Sequence, residues 1–209
     1  PDNGSVTMNG INLDTKGGHI WVGGGATTTS WNGLNVGNSS ARTYLDDVAG
    51  ISIVGSNIAS GGGNINMNAL SWNSFDDDGV NYGMNVENSN ISSGAGEIYI
   101  NADVYGRYTN GVGLRVTGST TITSTSGPIF VRGYGLDAAT NGNSWRHAAL
   151  IQGSTQIKSV TGSITVVGDA AFAATVNDKE GLVVSDGASI CSQTGNITLR
   201  GTNTLESSG

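Results

Sequence analysis

The chain has one cysteine, Cys191, and two prolines in 209 residues. A single thiol excludes an internal disulfide and a cysteine-built zinc site. Two prolines beside 34 glycines exclude collagen-like and proline-rich disordered chains, in which both residues are abundant. Positive charge is scarce as well. Lys and Arg total 9 against 16 Asp and Glu, a formal charge of −7, so no basic stripe can neutralise a phosphate backbone and nucleic acid is not an expected partner. No apolar run approaches the roughly 20 residues that span a bilayer. The opening Pro1-Asp2-Asn3-Gly4 lacks the basic and apolar regions of an export signal, so any such signal is expected outside these residues. The strong helix formers Leu, Lys and Glu are thinly represented, which argues against helices.

Gly, Ser, Thr and Asn are abundant, with Val and Ile among them. That mixture suits many short strands joined by tight turns. The strands follow a repeat. Apolar anchors seven apart recur six times, as Leu13/Ile20, Ile58/Ile65, Ile91/Ile98, Ile122/Ile129, Ile157/Ile164 and Ile190/Ile197. A glycine stands two residues before each second anchor, at Gly18, Gly63, Gly96, Gly127, Gly162 and Gly195. A glycine at a fixed offset answers either a positive φ or a close backbone approach that leaves no room for a Cβ.

Two residues after each second anchor comes another apolar or inward residue, at Val22, Met67, Ile100, Val131, Val166 and Leu199. This is the period of a strand. A further short strand precedes each first anchor, as in Val6-Thr7-Met8, Ile51-Ser52-Ile53 and Leu182-Val183-Val184. Each repeat therefore supplies three strands, and the predicted fold is all-β: a parallel β-helix, or solenoid, of about six coils of three short strands. Identical positions would stack about 4.8 Å apart into interior ladders. An antiparallel sandwich would give no reason for one offset kept through six units.

Between the third strand and the next coil lie longer excursions, Gly23 to Ala49, Asn68 to Tyr82, Ala102 to Val112, Gly133 to His147 and Gly168 to Glu180. They are expected to leave the coil at one corner and to form a ridge along the rod. Strand pattern reaches both termini, so residues 1–209 are read as one solenoid segment, a fragment of or repeating unit in a longer protein. Further coils or neighbouring copies would then cover its ends.

The unit Gly181-Leu-Val-Val-Ser-Asp-Gly-Ala-Ser-Ile-Cys-Ser-Gln-Thr-Gly-Asn-Ile-Thr-Leu-Arg-Gly201 resembles the repeats of filamentous-haemagglutinin-type adhesins and autotransporter passengers. The resemblance covers nearly all of the chain except the excursions. It implies a right-handed β-helix, an extracellular or cell-surface location, and a structural or adhesive role in contacts with cells or with other copies. No enzymatic activity is expected. The alternative is a polysaccharide-binding or polysaccharide-degrading β-helix, a calcium-assisted lyase or hydrolase.

The candidate binding residues lie in the excursions: Trp31, Trp72, Asp76, Asp78, Tyr105 and Trp145. The acidic runs Asp46-Asp47 and Asp76-Asp77-Asp78 are where paired carboxylates for sugar chemistry would be sought. Ser74, Asp76 and Asp78 followed by Gly79 echo the first half of a calcium loop, although its twelfth position is Asn85 rather than Glu. Asp76 and Asp78 are thus the candidate calcium ligands. Trp21, Tyr99 and Phe130 alternate with the inward residues of the third strand and so face outward. They are expected to be covered by excursions carrying Trp72, Tyr105 and Phe172, or else to offer a cell-surface glycan or protein a platform. His19 and His147 stand apart with no serine or cysteine nucleophile, and both are placed on the surface; Cys191 follows an anchor and should point outward.

Overall fold

The computed structural model describes residues 4–45, 48–73, 80–106, 110–137, 145–172 and 178–204. Among them there is no helix, and so none long and apolar enough to cross a membrane. Three parallel sheets run the length of a β-solenoid. The first stacks Val6–Asn9, Ile51–Val54, Val80–Glu87, Asn110–Thr117, Trp145–Ile151 and Asp178–Val184. The second stacks Asn12–Asp14, Asn57–Ala59, Asn90–Gly94, Thr121–Ser124, Gln156–Ser159 and Ser189–Ser192. The third stacks Ile20–Val22, Ile65–Asn73, Ile98–Gly106, Ile129–Asp137, Ile164–Phe172 and Ile197–Asn203.

Strand pairing sets the sequence anchors directly above one another. Leu13, Ile58, Ile91, Ile122, Ile157 and Ile190 form one ladder. Ile20, Ile65, Ile98, Ile129, Ile164 and Ile197 form the other. From Ile58 to Ile164 the members are fully buried in one apolar core, together with Met67, Met84, Ile100, Leu114 and Val131. Burying each such side chain contributes about 1.5–3 kcal/mol.

From Gly63 onward the glycine before each second anchor is there for space, while Gly18 in the first coil meets only Thr15 at 3.4 Å or more. None of Gly63, Gly96, Gly127, Gly162 and Gly195 has a positive φ. A Cβ on Gly127 would lie 2.0 Å from the carbonyl oxygen of Gly96, and one on Gly96 would lie 2.0 Å from that of Gly63. At this corner the backbone of one coil rests on the glycine of the next. Buried hydroxyls serve the carbonyls left unpaired by the bend: Ser93 Oγ donates to Gly96 O at 2.6 Å and Ser192 Oγ donates to Gly162 O at 3.0 Å. The corner between the first and second sheets is closed in the same way. Ser89 Oγ donates to Glu87 O at 2.7 Å, Thr120 Oγ1 to Thr117 O at 2.6 Å, and Thr155 Oγ1 to Gln152 O at 2.7 Å.

The described residues of the excursions are largely strand. Each third strand runs on well past its core pair, to Asn73, Gly106, Asp137 and Phe172, and the returning chain enters the first sheet early, at Val80, Asn110, Trp145 and Asp178. Outgoing and returning arms form two leaves whose backbones nearly touch, since a Cβ on Gly133 would lie 1.8 Å from the carbonyl oxygen of Ala148. Only small side chains fit between them there, and Ala69, Ala102, Ala148 and Ala170 are buried in or beside that seam. The first excursion is built differently. It forms an antiparallel hairpin, Gly24–Trp31 with Leu34–Ser39, whose two-residue turn Asn32-Gly33 has φ of 46° and 78°, the type I′ geometry that Asn-Gly favours. It then adds Ala41–Thr43 to the edge of Ile65–Asn73.

Two substitutions test this register. Ile129→Asp would bury an unpaired carboxylate in the apolar ladder and is expected to unfold the protein at room temperature. Thr165→Asp, on the opposite face of the same sheet, should cost less than about 1 kcal/mol; equal melting temperatures for the two variants would refute the assignment of inside and outside. Gly127→Ala should cost about 1–3 kcal/mol through backbone overlap, whereas Gly106→Ala, with open space around its Cβ position, should leave thermal unfolding unchanged.

Candidate functional site

The strand extensions give the third sheet a broad outer face, and this is where the described aromatic side chains gather. Inward positions keep the alternation that begins at the anchors, so Tyr99, Asn101, Asp103 and Tyr105 face outward beside Phe130, Arg132 and Tyr134 in the next coil. Parallel stacking sets each outward residue over its counterpart one coil away. Tyr99 and Phe130 lie face to face, their centroids 5.0 Å apart and their planes within 9°. Farther along the arms Trp72 stacks on Tyr105 at 5.4 Å, and Tyr105 meets Tyr134 at 5.9 Å. Trp72 is 46% exposed, large for an aromatic residue of this size.

A polar network separates the two aromatic groups. Arg132 reaches Asp103 at 3.2 Å on one side and Asp169 at 3.1 Å on the other, and it lies over the Tyr134 ring at 4.9 Å. Asp169 also accepts from Arg200 at 3.1 Å and from Thr202 Oγ1 at 2.9 Å. Each carboxylate of this cluster is held by a cation, an arrangement that orders the face. Burial pushes the Asp103 carboxyl above the usual carboxylate range, with the Arg132 charge opposing it.

The sequence-predicted residues fall in separate places. Trp72 and Tyr105 meet in the stack just described. Trp31 stands at the tip of the hairpin, edge-on to His19 at 5.7 Å, and is not part of that stack. Asp46, Asp47, Asp76, Asp77 and Asp78 lie outside the described residues, as do Ser74, Phe75 and the side chains of Trp145 and Phe172; the calcium loop and both acidic runs are among them. Among the described residues the expected cover over the outward aromatics is found at Trp21, whose ring lies against Gly23 and against Gly37 of the hairpin. Trp72 and Tyr105 do not fold back over Tyr99 and Phe130, because their arms continue as strand and hold them on the same face. His147 is not a surface residue: its side chain is 13% exposed and its Nδ1 lies 3.0 Å from Glu180, because the returning arm that carries it is packed into the first sheet. Cys191 is exposed, as its position after an anchor predicts.

A long groove of about 880 Å³ follows the outer face of the second sheet, over Ala59, Ser92, Thr123 and Lys158. Its one carboxylate, Asp14, is paired with Lys16, so it is not the acid-lined cleft that polysaccharide cleavage requires. Among the described residues no group of three or more His, Cys, Asp or Glu side chains is placed to hold a metal ion.

Arg132, Asp103, Asp169 and Tyr134 are the members of this face that sequence reasoning did not single out. Their signal was the alternation Tyr99, Asn101, Asp103, Tyr105 and Phe130, Arg132, Tyr134, which continues the strand period into the excursions. No protein-family model, no curated protein and no solved structure matches the chain.

Asp103 yields a prediction with a definite sign. A carboxyl whose folded-state pKa is raised costs stability while ionised, and the cost disappears as pH falls through the folded value. The stability of the wild type relative to Asp103→Asn should therefore increase from neutral pH down to about 3.9, the unfolded-state value. Were the Arg132 ion pair dominant, chemical denaturation across that range would show the difference shrinking instead.

Proposed function

We propose that the chain is a non-catalytic scaffold segment of a secreted or cell-surface repeat protein of the filamentous-haemagglutinin type, and that it makes adhesive contacts through the outer face of its third sheet. The supporting observation is the grouping of Trp72, Tyr105 and Tyr134 on one exposed face beside arginine-bound carboxylates. Aromatic rings rimmed by fixed polar groups are the usual anchors of protein contact surfaces. The coil stack supplies stiffness, and its parallel strands bring one outward face into line along the rod. Ile197 and Leu199 of the interior ladders are exposed at the last strands.

This reading is tested by coating surfaces with the purified segment and measuring retention of cultured epithelial cells and of beads carrying the same segment. Trp72→Ala is expected to reduce retention several-fold with an unchanged melting temperature. Undiminished retention would remove the aromatic face from the contact. Release of reducing ends or unsaturated products from a panel of acidic and neutral polysaccharides would overturn the non-catalytic reading.

A further inference from the structure

We propose that the slot between the hairpin tip and the third sheet is a binding site for a single neutral pyranose ring of a glycan. It is carried by different residues from the Trp72 face and stands independently of it. The slot has a volume of about 220 Å³ and is lined by Trp31, Asn32, Asn64, Asn66, Glu97 and Tyr99. That is below the roughly 300 Å³ at which pockets for drug-sized ligands begin, and it suits one ring rather than an extended molecule.

The slot arises from the repeat itself. In the outward row that contains Trp21, Asn66, Tyr99 and Phe130, register sets the short Asn66 between two aromatic positions. Its small side chain leaves a gap beside Tyr99, and the Asn32-Gly33 turn brings Trp31 to the gap from above. Both aromatic walls are held before any ligand arrives. Tyr99 is fixed by its parallel stack on Phe130. Trp31 is fixed edge-on by His19, whose Nδ1 accepts the Asn64 N–H at 2.9 Å. Walls fixed in advance reduce the ordering cost of binding.

The polar groups fit a sugar. Asn64 Oδ1 accepts the Glu97 N–H at 3.0 Å, and Asn66 Oδ1 accepts from Asn68 Nδ2 at 2.5 Å. These bonds occupy the acceptor end of each amide and orient its NH2 donors, which have no hydrogen-bond partner among the described residues. Glu97 is exposed and has no cation partner among the described residues. Amide donors and a carboxylate acceptor together match neighbouring hydroxyls, each of which accepts and donates, while the C–H faces of a pyranose pack on aromatic rings. A quaternary ammonium would leave the amide donors unanswered.

The test uses the full chain with methyl glucoside, methyl galactoside, methyl mannoside and methyl N-acetylglucosaminide, and with choline as the cationic comparison. Binding is followed by saturation-transfer NMR and tryptophan fluorescence. At least one glycoside is expected to bind with millimolar affinity. Asn66→Leu, which fills the gap, and Glu97→Gln should each weaken it at least about tenfold, with unaltered melting, whereas Trp72→Ala should have no effect. Absence of binding across the panel, binding indifferent to Asn66→Leu, or binding of choline alone would overturn the proposal. Cell retention that persists in Asn66→Leu while glycoside binding is absent from the wild type would refute the slot and leave the adhesive reading standing.

Discussion

Everything in this molecule depends on stacking one coil upon the next at the separation of parallel β-strands, about 4.8 Å. At that spacing a residue's chief neighbour is the residue at the same position one coil away, so each position must suit itself. Branched aliphatic side chains meet that demand in the interior, where Ile58, Ile91, Ile122 and Ile157 pack as a column. Glycine meets it at the corner, where the carbonyl below occupies the place of a Cβ. Asparagine meets it on the second sheet, where Asn90 Nδ2 donates to Asn57 Oδ1 at 2.7 Å and Asn57 Nδ2 to Asn12 Oδ1 at 2.6 Å. An amide that both donates and accepts can repeat indefinitely along such a column.

The same constraint governs the outer face of the third sheet, but there the chain varies its residues. Like charges one coil apart would repel, so Asp103 and Asp169 in one column are separated by Tyr134, Arg132 and Arg200 in the next column are separated by Val167, and the ion pairs run between the two columns. Aromatic rings tolerate self-stacking, as Tyr99 on Phe130 and Trp72 on Tyr105 show. Where a small residue interrupts an aromatic column, as Asn66 does below Tyr99, stacking leaves a gap with flat walls. The outer face thus relaxes the self-matching rule, while the interior that obeys it supplies the rigidity.

The two-leaf extension follows from the same geometry. A strand prolonged beyond the core loses its apolar partner layer unless another layer approaches. Here the returning arm approaches so closely that glycine stands at the tightest positions, Gly83, Gly113, Gly133 and Gly168, with Ala148 and Ala170 beside them and Val104 and Arg146 also buried in the extension. The extension therefore projects Trp72, Tyr105 and Tyr134 outward without a large apolar core of its own.

By itself the sequence determined the coil. Six anchor pairs seven apart, a glycine at one offset and a period of two are local regularities, and in a stacked fold local regularity becomes three-dimensional register without further information. It also singled out Trp72 and Tyr105, whose rings stack on one another, and set Cys191 outside. Only the tertiary structure decided why the corner glycines are required, since a positive φ and a close approach leave the same mark in a sequence. It alone showed that the described arms of the excursions are strands, because Ala69-Leu70-Ser71-Trp72 alternates small with large rather than polar with apolar, and the reason for the small residues is a leaf that arrives from ten or more positions later in the chain. The pairing of Trp31 with Tyr99 across the slot, and of Arg132 with Asp103 and Asp169, likewise depends on residues that the chain separates by a coil or more and that only folding brings together.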